Sequence, residues 1–234
     1  GRVEETFGED PYLVSSMAAA YVRGLQGSDL KQGIVATLKH FAGHGVCEGG
    51  RNHAPVSLGE KEMREEHLLP FEAVIKEEGA LSVMNAYHDW DGEPCASSRR
   101  LLTTILREEW GFEGIVVSDY WSIPMLNTDH RISPDEKHSG VLALQAGLDI
   151  ELPEVQCYGE HLMEAIQEGL ITENVVDVSA QRHIALKLAL GIFEQRFVQP
   201  VNEKLQFETD EHRQLARKAA QHSMVLLKNE GSLL

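Results

Sequence analysis

The chain has 234 residues, 42% hydrophobic and 25% charged, with 21 Lys and Arg against 37 Asp and Glu for a formal charge of −16. This composition buries a core and excludes intrinsic disorder, and the acidic balance excludes nucleic acid and anionic membrane surfaces as partners, because both demand clustered Lys and Arg. No run of ~18 apolar residues reads as a membrane-spanning helix.

Taken in chain order, short apolar runs alternate with helical patterns. Ile34-Val35-Ala36-Thr37-Leu38 predicts a first buried strand. Residues 60–78 are helical in period, with Leu68, Leu69, Phe71, Val74 and Ile75 inward, and Pro70 should kink or divide that helix. A second strand is expected over residues 81–86, a helix over 99–109, and a third strand at Ile115-Val116-Val117-Ser118 after Gly111-Phe112-Glu113-Gly114. Ser133-Pro134-Asp135-Glu136 reads as a capping box opening a helix that runs to Gly147. Leu148-Asp149-Ile150-Glu151-Leu152 is the fourth strand, and Thr172 caps a helix that ends at Gly191. Phe197-Val198-Gln199-Pro200-Val201-Asn202 reads as a linker, and residues 209–228 as a further helix.

The strands start at 34, 81, 115 and 148, the spacing of βα units. Repeated βα units imply a parallel sheet, open or closed into a barrel. Four strands make about half of an eight-stranded barrel, which typically needs ~250 residues. The first residues, Gly1-Arg2-Val3-Glu4-Glu5, and the last, ending Gly231-Ser232-Leu233-Leu234, both read as interior to a longer chain. Cys47, Cys95 and Cys157 are sparse and odd in number, which fits a reducing, cytoplasmic compartment rather than a disulfide framework.

Polar residues follow the strand ends: Lys39-His40 after the first, Tyr87-His88-Asp89 after the second, and Asp119-Tyr120-Trp121 after the third. In parallel α/β folds the C-terminal strand ends build the site. Asp119, between an apolar strand and two aromatics, suits a nucleophile or an acid; otherwise it caps a helix over 120–126. Lys39 can hold a neighbouring carboxylate ionised. The loop from Gly43 to His53 has the glycines but not the helix or spacing of a phosphate cradle. His40 and His44 are four apart, but Gly43 lies between them and a strand precludes one helical face, so no metal site is assigned.

Four motifs then come in order: Gly1-Arg2-Val3-Glu4-Glu5-Thr6-Phe7-Gly8-Glu9-Asp10-Pro11, Lys39-His40-Phe41-Ala42-Gly43, Ser82-Val83-Met84-Asn85-Ala86-Tyr87 and Trp110 through Asp119. With Gly191-Ile192-Phe193-Glu194 and Leu226-Leu227-Lys228-Asn229-Glu230-Gly231, they resemble glycoside hydrolase family 3, most of all its β-glucosidase and β-xylosidase members. The resemblance implies a retaining, exo-acting glycosidase with no cofactor and no metal, acting on β-glucoside or β-xyloside oligosaccharides. It implies the later part of a (β/α)8 TIM-type barrel over residues 1–195, and over 196–234 the linker and start of a second α/β sandwich domain. Asp119 matches the family nucleophile, and Arg2, Lys39, His40, Arg51 and Tyr87 match sugar-binding positions. Trp121 offers an apolar face for a pyranose, and Lys39 and Arg51 are expected to keep Asp119 ionised. The acid/base Glu is expected from the second domain, so residues 1–234 alone should fold poorly and hydrolyse nothing.

Two other classes fit some of the residues. One is a barrel-type metal-dependent hydrolase using His40, His44, His53 and Asp119; the other is a sugar-binding barrel without catalysis. Within the family, the N-acetylglucosaminidase branch is disfavoured, because Asn52 precedes His53 and no Asp-x-His dyad is present.

Overall fold

The computed structural model of the chain describes residues 2–197 and 208–232. Residues 198–202 of the expected linker lie outside them. The chain divides into two compact units, Gly1–Glu194 and Gln195–Leu234. Among the described residues no helix is long and apolar enough to cross a membrane.

The first unit opens with helix α1, Pro11–Gln26. Asp10 starts it by accepting the Leu13 N–H on Oδ1 at 2.7 Å, with Pro11 pre-set at the first helical position. Strand β1, Thr37–Phe41, follows. Next come α2, Glu60–Glu62, and α3, Leu69–Glu78, joined by the π-wound turn Met63–Leu68. Pro70 lies in the first turn of α3, where a missing N–H costs least; the helix changes its winding ahead of the proline instead of breaking.

Strand β2 is Ser82–Asn85, and a small hairpin pairs β3, Asp89–Trp90, with β4, Glu93–Pro94. A π-wound helix, Arg100–Glu109, leads to β5, Ile115–Val117. Gly114 precedes β5 because a Cβ there would collide with the Leu81 carbonyl, which accepts the Ile115 N–H at 3.0 Å. Helices α4, Met125–Thr128, α5, Glu136–Ala146, α6, Glu160–Gln167, and α7, Glu173–Ala189, complete the unit.

The architecture is α/β. Strands β1, β2 and β5 form one parallel sheet in the order β1-β2-β5. Phe41, at the end of β1, is fully buried; it meets Phe71 edge-on at 5.1 Å and Trp110 at 5.8 Å. Met63, Leu68, Leu101, Leu102, Ile105, Leu106 and Leu148 fill the same core, each contributing roughly 1.5–3 kcal/mol on burial. Beneath the sheet, buried Asp149 accepts Arg107 at 2.7 Å, Arg182 of α7 at 2.9 Å and the Val116 N–H at 2.8 Å. Burial lowers the Arg107 guanidinium to about 10, against the opposing pull of Asp149.

Four expectations change. The first strand is 37–41, not 34–38: the Ile34 N–H bonds back to the Leu25 carbonyl at 2.8 Å, and its side chain is exposed. Lys39 and His40 therefore lie in the strand, where the register slips between Leu38 and Phe41. Asp135, not Ser133, caps α5, accepting the His138 N–H at 2.8 Å, while the Ser133 hydroxyl faces Ser139. The fourth strand is reduced to one bridge, Val117 to Ile150. In the second unit, α8 spans Asp210–His222 with Thr209 accepting the His212 N–H at 3.2 Å, and it stops short of the exposed Met224 to Leu227.

Candidate active site

The three parallel strands point their C-terminal ends to one rim. The slip in β1 re-aims Lys39 and His40 there. His40 and Asp119, both buried, face each other with Nε2 3.5 Å from Oδ2. Burial, then the charge of His44, holds His40 down to about 3, so the ring is neutral at neutral pH and the contact is no ion pair.

Asp119 is held from two sides. Its N–H donates to Asn85 Oδ1 at 3.1 Å, and its Oδ1 accepts the Tyr120 N–H at 2.7 Å. Its Oδ2 is buried with no hydrogen-bond partner. Asn85 also accepts the Ser122 hydroxyl at 3.2 Å and donates to the Ala86 carbonyl at 2.7 Å. One carboxylate oxygen is thus fixed and the other is left with free lone pairs.

Around this pair stand Tyr87, Arg2, Lys39 and Glu5. Burial first, then the nearby Asp119 carboxylate, pushes the Tyr87 hydroxyl well above its usual range. The ring of His53 lies 4.5 Å from that of Tyr87, and His130 Nε2 sits 2.9 Å from the Tyr87 carbonyl. Arg2, in the left-handed region at φ 55°, makes a two-pronged pair with Glu5 at 2.6 and 2.7 Å and reaches Asn52 Oδ1 at 3.2 Å. Lys39 Nζ lies 3.4 Å from Glu5 Oε2. Hydrogen bonding from Arg2 above all holds Glu5 down at about 2.

Of the residues singled out from sequence, Asp119 and His40 meet directly, and Tyr87 and Arg2 lie within electrostatic reach of Asp119. Lys39 is paired with Glu5 rather than with Asp119. Arg51 is exposed on its loop, and no hydrogen bond or ion pair joins it to Asp119. Trp121, at φ 60°, presents a half-exposed ring at the edge, with its N–H on the Leu152 carbonyl at 3.0 Å and Nε1 3.3 Å from Glu154. Glu151 serves the backbone, accepting the N–H groups of Gln156, Cys157 and Tyr158.

Asn85, Glu5 and Asn52 had not been singled out. Asn85 could have been: it is the polar residue at the end of a strand whose following Tyr87 was chosen. The four residues of the metal-hydrolase reading are not gathered into one shell, since His53 lies on Tyr87 and His44 groups with Cys47 and His88.

Comparison with known proteins bears on this arrangement. The model of the glycosyl hydrolase family 3 N-terminal domain matches residues 1–186. A β-xylosidase of Formosa agariphila is 37% identical over all of this chain and 34% of its own length. Thermostable β-glucosidase B of Acetivibrio thermocellus is 36% identical over all of the chain and 28% of its own length. Among solved structures, a β-glucosidase from Erythrobacter marinus superposes with a TM-score of 0.95 at 40% identity, and that of Listeria innocua with isofagomine with 0.95 at 34%. The chain covers 31% and 33% of those two proteins and is itself covered completely. It thus spans about a third of the length of the relatives it matches.

Proposed function

The chain belongs to glycosyl hydrolase family 3, and from that membership we propose that it is the nucleophile-bearing part of a retaining, exo-acting β-glycosidase. The observation that carries this reading is Asp119, buried at the end of β5 with Oδ1 fixed and Oδ2 free beside a neutral His40. The substrate is a terminal β-linked glucose or xylose, by likeness to relatives named for those activities.

In the first step Asp119 Oδ2 attacks the anomeric carbon as the glycosidic bond breaks, giving a glycosyl-enzyme ester. The leaving oxygen takes a proton from a second carboxyl group ~5–5.5 Å from the nucleophile, and water then releases the sugar with that group as base. Arg2, Lys39, His40, Arg51 and Tyr87 bind the sugar hydroxyls, and Trp121 gives the ring an apolar edge. Glu5 is unsuited to be the acid: with a pKa of about 2 it has no proton to give near neutrality.

As the family resemblance implies, the acid/base Glu is assigned in this reading to a second domain that begins within residues 196–234. Residues 1–195 form the later part of a (β/α)8 barrel, a reading supported by the parallel order β1-β2-β5 and by helices between the strands. The 234-residue chain by itself is expected to hydrolyse neither nitrophenyl glucoside nor nitrophenyl xyloside. The deciding experiment treats the full-length protein with a 2-fluoro glucoside or xyloside and maps the labelled peptide by mass spectrometry. A label on Asp119 is expected; a label on any other residue overturns the assignment.

A further inference from the structure

Next to the sugar site, but not part of it, three side chains converge. His44 opens the short turn His44–Val46, Cys47 follows that turn, and His88 stands just beyond β2. One ligand atom from each lies within 4.8 Å of the other two. Cys47 and His88 are buried and His44 is half-buried. His44 Nδ1 and His88 Nε2 are both enclosed without a hydrogen-bond partner.

Buried polar atoms are rarely left unpaired, and two such nitrogens beside one thiol are satisfied together by a shared ligand. The tautomer of His88 agrees. Its Nδ1 lies 3.0 Å from the Asp89 carbonyl, which can only accept, so Nδ1 carries the hydrogen and Nε2 keeps its lone pair. That is the outer-shell arrangement by which proteins orient a metal-binding imidazole.

We propose that His44 Nδ1, Cys47 Sγ and His88 Nε2 form a metal site for a borderline divalent cation, zinc being the natural occupant. Two imidazoles and a thiolate suit zinc and leave a fourth position open. Binding breaks the Cys47 S–H bond, forms S–Zn and passes the proton to solvent, while the neutral imidazoles lose none. The ion ties the glycine-rich loop after β1 to the end of β2. It reaches the sugar site only by position, since the His44 ring stands 4.4 Å from that of His40. The site uses neither His53 nor Asp119, and it stands whether or not the glycosidase reading holds.

The protein produced from its complete gene is freed of metal with EDTA and titrated with Co2+ while the absorption spectrum is recorded. One Co2+ per chain should bind with a thiolate-to-cobalt charge-transfer band, and Zn2+ should displace it stoichiometrically. Cys47→Ser should abolish the band, and His88→Ala should weaken Zn2+ binding at least tenfold. Cys157→Ser, which removes a buried thiol elsewhere, should change neither. The unmodified protein decides the matter even where a variant does not fold: no stoichiometric Co2+, or Co2+ bound without the thiolate band, overturns the proposal. So does a band that survives in folded Cys47→Ser protein, which would give the thiolate to Cys95. None of these readouts depends on glycoside hydrolysis, so each reading can fail without the other.

Discussion

The side-chain amide of Asn85 holds the backbone of Asp119: Oδ1 of the one accepts the N–H of the other at 3.1 Å, inside the protein and across two neighbouring strand ends. The same oxygen accepts the Ser122 hydroxyl. Asn85→Ala leaves two buried donors unpaired, at about 1–3 kcal/mol each. A lower urea midpoint is expected, together with a fall in kcat larger than any change in KM, because the proposed nucleophile loses its placement. Unchanged stability and kinetics would show that the bond is dispensable.

Asp119→Asn keeps the shape of the site and removes the charge of the proposed nucleophile. Turnover should fall by several orders of magnitude while binding of the sugar product, followed by calorimetry, stays measurable. Full activity in the Asn variant would remove Asp119 from the mechanism.

His40→Ala removes the neutral ring that faces the Asp119 carboxylate and Lys39→Ala removes a cation; each should weaken the transition state, because contacts involving a charged group contribute about 1.5–3 kcal/mol apiece. That corresponds to about a tenfold loss in kcat/KM or more. The loss at Lys39 should be the smaller, since this side chain is exposed and shared with Glu5. Steady-state kinetics on both variants test the order; wild-type values in both would leave these residues with packing roles only.

Glu5 gives the fold a pH dependence in the acid range. Its carboxyl is held at about 2 in the folded chain by Arg2 and Lys39, against 4.5 unpaired. A carboxylate lowered in this way contributes stability that is present above the unfolded value and is lost as pH falls towards the folded one. The difference in melting temperature between the natural protein and Glu5→Gln should therefore be constant above pH 4.5 and shrink between 4.5 and about 2. A difference that stays flat down to pH 2 would mean that the pairing does not persist in solution.

The parallel sheet was legible because glycine-led apolar runs do become strands at Ser82–Asn85 and Ile115–Val117. The first strand was misplaced because Ile34-Val35 are the more apolar, whereas the true strand carries Thr37, Lys39 and His40. A strand that ends at a polar rim looks like a loop in sequence. Helix α1 went unread although Asp10-Pro11 is a start signal, because Tyr12, Leu13, Met17 and Tyr21 are exposed and blur the amphipathic period. At the site, Asp119, His40 and Tyr87 were visible as polar residues next to strand ends. Glu5 was not, because its role depends on Arg2 and Lys39 meeting it, one of them 34 positions away along the chain.

Asp149 bears on where this unit can be cut. Helix α7 buries fully only Ser179, whose hydroxyl reaches the Asp149 carbonyl, and it sends Arg182 to the Asp149 carboxylate. A chain shortened to end before Arg182 would keep every group at the rim yet leave that buried carboxylate with one guanidinium in place of two. Oδ2 would keep Arg107 and the Val116 N–H while Oδ1 lost its guanidinium donor, a bond to a charged group worth about 1.5–3 kcal/mol and a noticeable share of a domain's margin. The shortest workable piece is thus set by whether both oxygens of one buried carboxylate keep a donor, and protease trimming should halt beyond residue 182.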